Sequence, residues 1–303
     1  MSPRAFFNGR FLSAEDLRVE VHDAGFVQGV TVAEQMRTFG GQLFRLDEHL
    51  ARLRHSLEIV GVEGVDLQEL ADAARELAAS NHSLLDSGDD LGLSLFVTPG
   101  PYPTFAPPGP PQPTIGMHSY PVPFHLWAAK YAEGQRLVVS QTRQVPDNCW
   151  PPELKCRSRM HYYLADREAE QQDPGSRALL LDQDGLVNEA STANIVVFNS
   201  EEGFVSPPLE RILPGVSVAV LKELSSGLGV AFTHRPLTVE DVAAADEVLL
   251  SSTSPCLLPV TSLDGQPIAD GRASEMLGRA LSAWSELVGV DIIAQAQRFA
   301  EMR

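Results

Sequence analysis

The chain has 303 residues, enough for about two domains with separate cores, and its 44% hydrophobic and 21% charged content is that of a globular protein. A formal net charge of −17 argues against a nucleic-acid or anionic-membrane surface as the main partner, because phosphate-rich surfaces repel an acidic field, although a local basic pocket stays open. The opening "MSPRAFFNGRFLSAEDLR" lacks the apolar run of a signal peptide, no later stretch approaches about eighteen consecutive apolar residues, and Cys149, Cys156 and Cys256 are an odd count without C-x-x-C spacing, so a cytoplasmic protein with neither disulfide framework nor metal site is expected.

The chain opens in sheet: "AFFNGRFL" sets Asn8-Gly9 between apolar runs, a type I′ hairpin signal. In "RLDEHLARLRHSLEIVG" Leu46, Leu50, Leu53, Leu57 and Val60 recur at helical spacing, with Asp47 as N-cap and Gly61 as stop, and "VDLQELADAARELAASNHSLL" predicts a second helix. Residues 99–113, "PGPYPTFAPPGPPQP", are too rich in proline and glycine to continue helix or central strand, and a loop of this length is more often functional or mobile than accidental. Within it, Tyr102 and Phe105 read equally well as a lid over a pocket and as anchors of the loop.

The pattern restarts at "RLVVSQTR", which places an N-terminal domain at 1–122, an interdomain linker at 123–133 and a larger domain at 134–303. "SRMHYYLADREAEQ" predicts a helix with Tyr163 and Leu164 in the core; neither they nor His161 and Tyr162 are given a role. Strands are expected on both sides of Asp184-Gly185, then a hairpin in "NIVVFNSEEGFVS", a helix from "LPGVSVAVLKEL", a strand at "DEVLLSST" and a closing helix with Met276, Leu277, Ala280, Leu281, Trp284 and Leu287. Strands and helices mix without regular βαβ alternation, so the class is α+β.

Lys155 is the first residue with chemical potential. The chain has three lysines, Lys130, Lys155 and Lys222, and the remaining twenty of its 23 basic residues are arginine. A desolvated amine can lose its proton near neutral pH and attack a carbonyl, which a guanidinium cannot. On rarity alone an ordinary surface lysine is the better reading, since the other two are equally rare.

Other residues change the weighting. Gly215 precedes a helix whose first amides, Val216 and Ser217, have no intrahelical acceptor and suit an anion. Ser251, Ser252 and Thr253 end a strand in hydroxyls, good phosphate ligands and equally good turn residues. Arg52, on the amphipathic helix, reads by itself as a solvated charge. Glu189 reads as a strand-end carboxylate, or as an acid that keeps a heterocyclic nitrogen protonated. Together they outline an amine, a phosphate cup and a ring-nitrogen acid.

The ordered blocks "FFNGRFL", "DAGFVQGVTVAEQMRTFGGQLFRLDEHLARL", "PELKCRSR", "LLLDQDGLVNEASTANIVVF", "ILPGVSVAVL" and "ADEVLLSSTSPCLLPVTSLDG" resemble the class IV, or fold type IV, pyridoxal-phosphate enzymes. That family includes branched-chain and D-amino acid aminotransferases and aminodeoxychorismate lyase. The resemblance implies a two-domain fold, with a smaller N-terminal α/β domain and a larger C-terminal mixed, barrel-like domain with helices, and a homodimer. It implies transamination between a small amino acid and a 2-oxo acid in two half-reactions.

By position, Lys155 resembles the Schiff-base lysine and Glu189 the partner of the pyridine nitrogen. Arg52, Val216, Ser217 and Thr253 resemble the phosphate contacts, and Asn194 a supporting residue. The chain departs from the family at Gln28 and Ala33, where aromatic residues are frequent, at Met160, where a tyrosine is frequent, and in "VTPGPYPTFAPP", which lacks the arginine and histidine of the D-amino acid branch. The substrate carboxylate then needs another partner, and Arg37, Arg157 and Arg159 are the candidates, with ion pairing as the ordinary reading for the "RSR" pair. The competing readings are a pyruvate-releasing lyase with the same cofactor and a catalytically silent binder that kept the fold.

Overall fold

The computed structural model describes residues 2–110 and 112–302, so Pro111 of the proline-rich loop lies outside the described residues. The chain divides into two compact units, Met1–Val122 with Leu154–Ser158 and Pro123–Glu153 with Arg159–Arg303.

The first unit is an antiparallel six-stranded sheet packed against two long helices. Its strands are β1 (Arg4–Phe7), β2 (Arg10–Ser13), β3 (Val32–Phe39), β4 (Gln42–Leu43), β5 (Leu91–Thr98) and β6 (Thr114–Pro121), in the order β2-β1-β6-β5-β3-β4. Asn8 and Gly9 both take positive φ, 46° and 79°, as the type I′ turn between β1 and β2 requires. A short helix α1 (Ala24–Val27) precedes β3, and α2 (Leu46–Val60) and α3 (Leu67–His82) follow β4. Leu46, Leu50, Leu53 and Leu57 of α2 and Leu70, Ala74 and Leu77 of α3 bury against Val32, Met36, Leu93, Leu95, Val97 and Met117 of the sheet. Only alternate strand residues enter this core, since side chains alternate across a strand.

Gly61 ends α2 in the left-handed region at φ 74°, as expected, but the N-cap is Arg45, at φ 55°, and Asp47 sits inside the first turn. There its carboxylate still faces the positive end of the helix dipole.

The second unit has a nine-stranded mixed sheet. Its elements are α4 (Lys130–Glu133), β7 (Gln135–Val139), α5 (Met160–Gln172), β8 (Arg177–Leu181), β9 (Val187–Ala190), β10 (Asn194–Asn199), β11 (Gly203–Ser206), α6 (Val216–Gly227), β12 (Phe232–His234), α7 (Val239–Ala243), β13 (Glu247–Ser252), β14 (Cys256–Leu263), β15 (Gln266–Pro267), α8 (Glu275–Val288) and α9 (Ile292–Glu301). The order is β12-β11-β10-β13-β14-β7-β8-β9, with β15 on β14, and parallel pairs at β11/β12, β14/β7 and β7/β8.

Residues 123–133, expected as a linker, fold into this unit: Phe124, Trp127, Ala128 and Tyr131 are buried, and the Phe124 ring stacks on Phe299 of α9. In α5 the buried positions are Ala165 and Ala169, packed against Val138, Ala178 and Leu180. That alanine face sets the helix phase and turns Tyr163 and Leu164 outward, 65% and 44% exposed, so they are not core residues as the sequence predicts. Among the described residues no helix is long and apolar enough to cross a membrane.

Candidate active site

Lys155 lies in an extended segment at the edge of β3. The Ala33 N–H donates to the Lys155 carbonyl at 3.0 Å, the Arg157 N–H donates to the Thr31 carbonyl at 2.8 Å, and Cys156 pairs with Val32 between them. The Lys155 N–H leaves the sheet and donates to Ser56 Oγ on α2 at 3.1 Å. The lysine is thus fixed to both a strand and a helix through its own main chain.

The same helix face carries His49 and Arg52, at positions i and i+3, with Ser56 one turn further. Arg52 Nε and Nη2 donate to the two oxygens of Glu34 on β3, both at 2.8 Å, and His49 Nδ1 lies 2.7 Å from Glu34 Oε2. Burial alone would push the Glu34 carboxyl up, but the Arg52 charge and hydrogen bonds, with His49, hold it well below the usual carboxylate range. Burial lowers His49, Glu34 opposes that, and the charges of Arg52 and Lys155 add to it, so the imidazole is neutral and its Nδ1–H donates to Glu34. The result is a guanidinium fork held rigid from behind by an ionised carboxylate.

In the second unit Glu189 lies in β9, 5% exposed. Its Oε1 accepts from Tyr162 Oη at 2.5 Å and from Gln144 Nε2 at 2.9 Å, and its Oε2 accepts from Asn194 Nδ2 at 3.2 Å. These donors, Tyr162, Gln144 and Asn194, hold the two carboxylate oxygens in place. Asn194 also donates to the Leu213 carbonyl at 2.9 Å. Gly215 caps α6 so closely to Asn194 that a Cβ there would lie 2.1 Å from Oδ1. Asn194 in turn pairs in register with Ser251 of β13, which brings the first turn of α6 and the end of β13 to the same edge of the sheet.

The sequence profile of the family described as amino-transferase class IV matches residues 31–263. The chain belongs to that family. As a class IV aminotransferase it is 29% identical over 274 residues to a D-alanine aminotransferase of Bacillus licheniformis, covering 88% of this chain and 91% of the relative. It is 27% identical to a putative branched-chain-amino-acid aminotransferase of Methanocaldococcus jannaschii, covering 90% and 92%. Its fold matches the crystal structure of the Escherichia coli branched-chain amino acid aminotransferase with a TM-score of 0.87 over 95% of both chains at 24% identity. A branched-chain aminotransferase of Thermobaculum terrenum in its PLP form gives 0.83 over 99% and 97% at 19% identity. The two-domain α+β fold type IV architecture expected from the sequence is therefore the fold of this aminotransferase.

Aminotransferases of class IV work with pyridoxal phosphate, and the residues of this one fit that group. The first-turn amides of Val216 and Ser217 lack intrahelical acceptors. Ser251 Oγ is a buried hydroxyl with no hydrogen-bond partner among the described residues, left with a proton to donate. Thr253 sits in the turn between β13 and β14, half-buried. Glu189 supplies the buried carboxylate a pyridinium N–H requires.

The sequence-predicted residues fall into these two groups: Arg52 and Lys155 attach to one face of α2, while Glu189, Asn194, Val216 and Ser217 gather at one sheet edge. The arginines differ. Arg37 is 1% exposed, its Nε donates to the Thr38 carbonyl at 3.2 Å, and its guanidinium lies 4.0 Å above the Phe39 ring, so it is folded into the unit. Arg157 is exposed, and Arg159 is the N-cap of α5. In the proline-rich loop the Tyr102 N–H donates to the His22 carbonyl at 2.8 Å, and the Phe105 ring lies 5.9 Å from that of His22. Sequence reasoning missed Glu34, His49, Gln144 and Tyr162. Only the pair His49 and Arg52, spaced for one helix face, left a signal.

Proposed function

We propose that this aminotransferase moves an amino group between a small amino acid and a 2-oxo acid with Lys155 as the cofactor-bearing and proton-transferring residue. Two observations carry this: in the first unit a lysine anchored through its main chain to Ser56, and in the second unit a buried carboxylate that accepts from Tyr162, Gln144 and Asn194. Pyridoxal phosphate, when bound, supplies an aldehyde that accepts the amino group and a ring that takes up the electron pair of the substrate α-carbon. Lys155 Nζ would take the proton from that carbon and return it to the carbon two bonds away across the nitrogen, which one flexible amine can do and a guanidinium cannot. Glu189 holds the ring-nitrogen proton. Arg52, Val216, Ser217 and Thr253 bind the phosphate, with Glu34 setting the fork of Arg52. Asn194 positions Glu189.

The substrate identity is proposed at the level of small α-amino acids, since the relatives are named for D-alanine and for branched-chain amino acids. A homodimer is proposed because the first unit exposes Val21, Phe26 and Phe105, an apolar surface of the kind that marks an interface. A cytoplasmic location is proposed from the three cysteines, an odd count without C-x-x-C spacing.

Borohydride reduction of the protein with pyridoxal phosphate, then peptide mass mapping, tests the assignment. Cofactor mass on the peptide holding Lys155, absent in Lys155→Ala, is expected, together with loss of the cofactor absorbance band on adding one donor and its return on adding a 2-oxo acid. Cofactor mass elsewhere, or none, would remove Lys155 from the role.

A further inference from the structure

We propose that Arg157 and Tyr120 form the site for the substrate carboxylate, on the face of the six-stranded sheet that α2 and α3 leave open. This rests on the reading of Lys155 above.

The alternation of side chains assigns the face. Val32 and Met36 of β3, Leu93, Leu95 and Val97 of β5 and Met117 of β6 enter the helix-side core. Ala33 and Gln35, Gly92, Ser94 and Phe96, and Gly116, His118 and Tyr120 lie on the opposite face. Register puts Gln35, Ser94 and His118 in one row and Gly92 beside Tyr120 in the next. Cys156 pairs with Val32, so Lys155 and Arg157 on either side of it share the open face with Ala33. Two residues of extended chain separate them by about 6–7 Å.

The polar groups on this face converge. Arg157 Nη2 donates to Ser94 Oγ at 2.5 Å. Gln35 Nε2 donates to Tyr120 Oη at 2.5 Å, which occupies a lone pair and leaves the phenolic proton for another acceptor. The ring of Tyr120 fills the space over Gly92, where a Cβ would come within 2.5 Å of it, so the hydroxyl is fixed in place. The guanidinium is felt by both neighbours: burial lowers His118 and Arg157 lowers it further, while burial raises Tyr120 and Arg157 opposes that. His118 is therefore a neutral imidazole, and Tyr120 keeps its proton. A carboxylate placed here meets one planar cation and one fixed O–H, two residues along the chain from the lysine. Arg37 is on the same face but stacked on Phe39, and it does not compete.

The test is calorimetric titration of propanoate, with propanamide as the uncharged control, on wild type, Arg157→Ala, Arg157→Lys and Tyr120→Phe. Propanoate affinity should fall roughly tenfold or more in Arg157→Ala and about three- to tenfold in Tyr120→Phe, with Arg157→Lys between wild type and alanine and propanamide unchanged throughout. Propanoate binding that is unchanged in both Arg157→Ala and Tyr120→Phe overturns the proposal, as does an equal loss for propanamide. The titration needs no turnover, so loss of propanoate binding in these variants alongside failure of the wild type to load pyridoxal phosphate on Lys155 would overturn only the enzyme assignment.

Discussion

Tyr162, in the first turn of α5, donates its hydroxyl to Glu189 of β9 at 2.5 Å. Burial, and then the Glu189 charge and hydrogen bond, raise the Tyr162 hydroxyl well above its ordinary value, so it stays a donor throughout the working pH range. Tyr162→Phe leaves a buried carboxylate short of one donor, and unfolding stability at neutral pH should drop by about 1.5–3 kcal/mol. The folded pKa is the raised one, so this stability is fully present below the unfolded tyrosine value near 10 and is lost as pH climbs through the folded value. Urea unfolding of both proteins from pH 7 to 11 should show the gap narrowing only above about pH 10. A gap already absent at pH 7 would mean the bond contributes nothing.

Glu34 has the opposite sign. Its carboxyl is held well below the usual range, so its contribution is present above the unfolded value of about 4.3 and is lost as pH falls toward the folded one. Glu34→Gln breaks a buried pair and leaves Arg52 without its countercharge, at a cost of roughly 3–5 kcal/mol. Below about pH 4.5 wild type should lose stability more steeply than Glu34→Gln, and the variant, starting from lower stability, should reach its acid unfolding midpoint at the higher pH. Phosphate-group affinity should fall as well, measured as faster pyridoxal phosphate release on dilution. Release at the wild-type rate would show that the Arg52 fork does not depend on Glu34.

What the sequence makes legible here is local. Asn8-Gly9 and the leucine spacing of α2 depend on neighbours within a turn or two, and Lys155, Glu189 and Gly215 sit in short recognisable blocks. What it hides is set by distant packing. Glu34 and Arg52 pair across 18 positions of strand and helix, and nothing in either segment marks the partner. Tyr162 and Tyr163 are chemically identical neighbours; the contact of Ala165 and Ala169 with β7 and β8 decides which one turns inward. The edge pairing of residues 154–158 with β3 joins segments more than a hundred positions apart, so a contiguous domain division could not contain it.

Gly215 and Gly227 offer an internal comparison at the two ends of α6. A Cβ at Gly215 would lie 2.1 Å from Asn194 Oδ1, whereas one at Gly227 meets nothing within 4 Å. Gly215→Ala must displace Asn194, and with it the bond to Glu189 Oε2, for a stability loss of roughly 1–3 kcal/mol and weaker cofactor retention. Gly227→Ala should instead be neutral or stabilise by up to about 1 kcal/mol, because alanine loses less backbone entropy in a helix. Thermal unfolding of the two variants with and without pyridoxal phosphate separates a cofactor effect from a helix effect. Equal behaviour at both positions would mean the Asn194 contact relaxes freely.

The apolar surface of the first unit gives the assembly a direct test. Val21, Phe26 and Phe105 are 72%, 73% and 59% exposed, and the segments that carry them are tied together by the Asp23 to Pro101 bridge and by the Tyr102 N–H on the His22 carbonyl. Three large apolar side chains on one pinned surface cost solubility unless something covers them. Neither Phe26 nor Phe105 belongs to the buried core, so Phe26→Asp and Phe105→Asp leave the packing of the sheet alone. Each introduces a charge whose desolvation opposes association. Sedimentation equilibrium should show wild type at twice the chain mass of 32.9 kDa and the double variant shifted toward the single-chain mass, with an unchanged far-ultraviolet spectrum. A double variant that sediments as wild type would place the interface on another surface, and a wild type that sediments as one chain at micromolar concentration would end the dimer proposal.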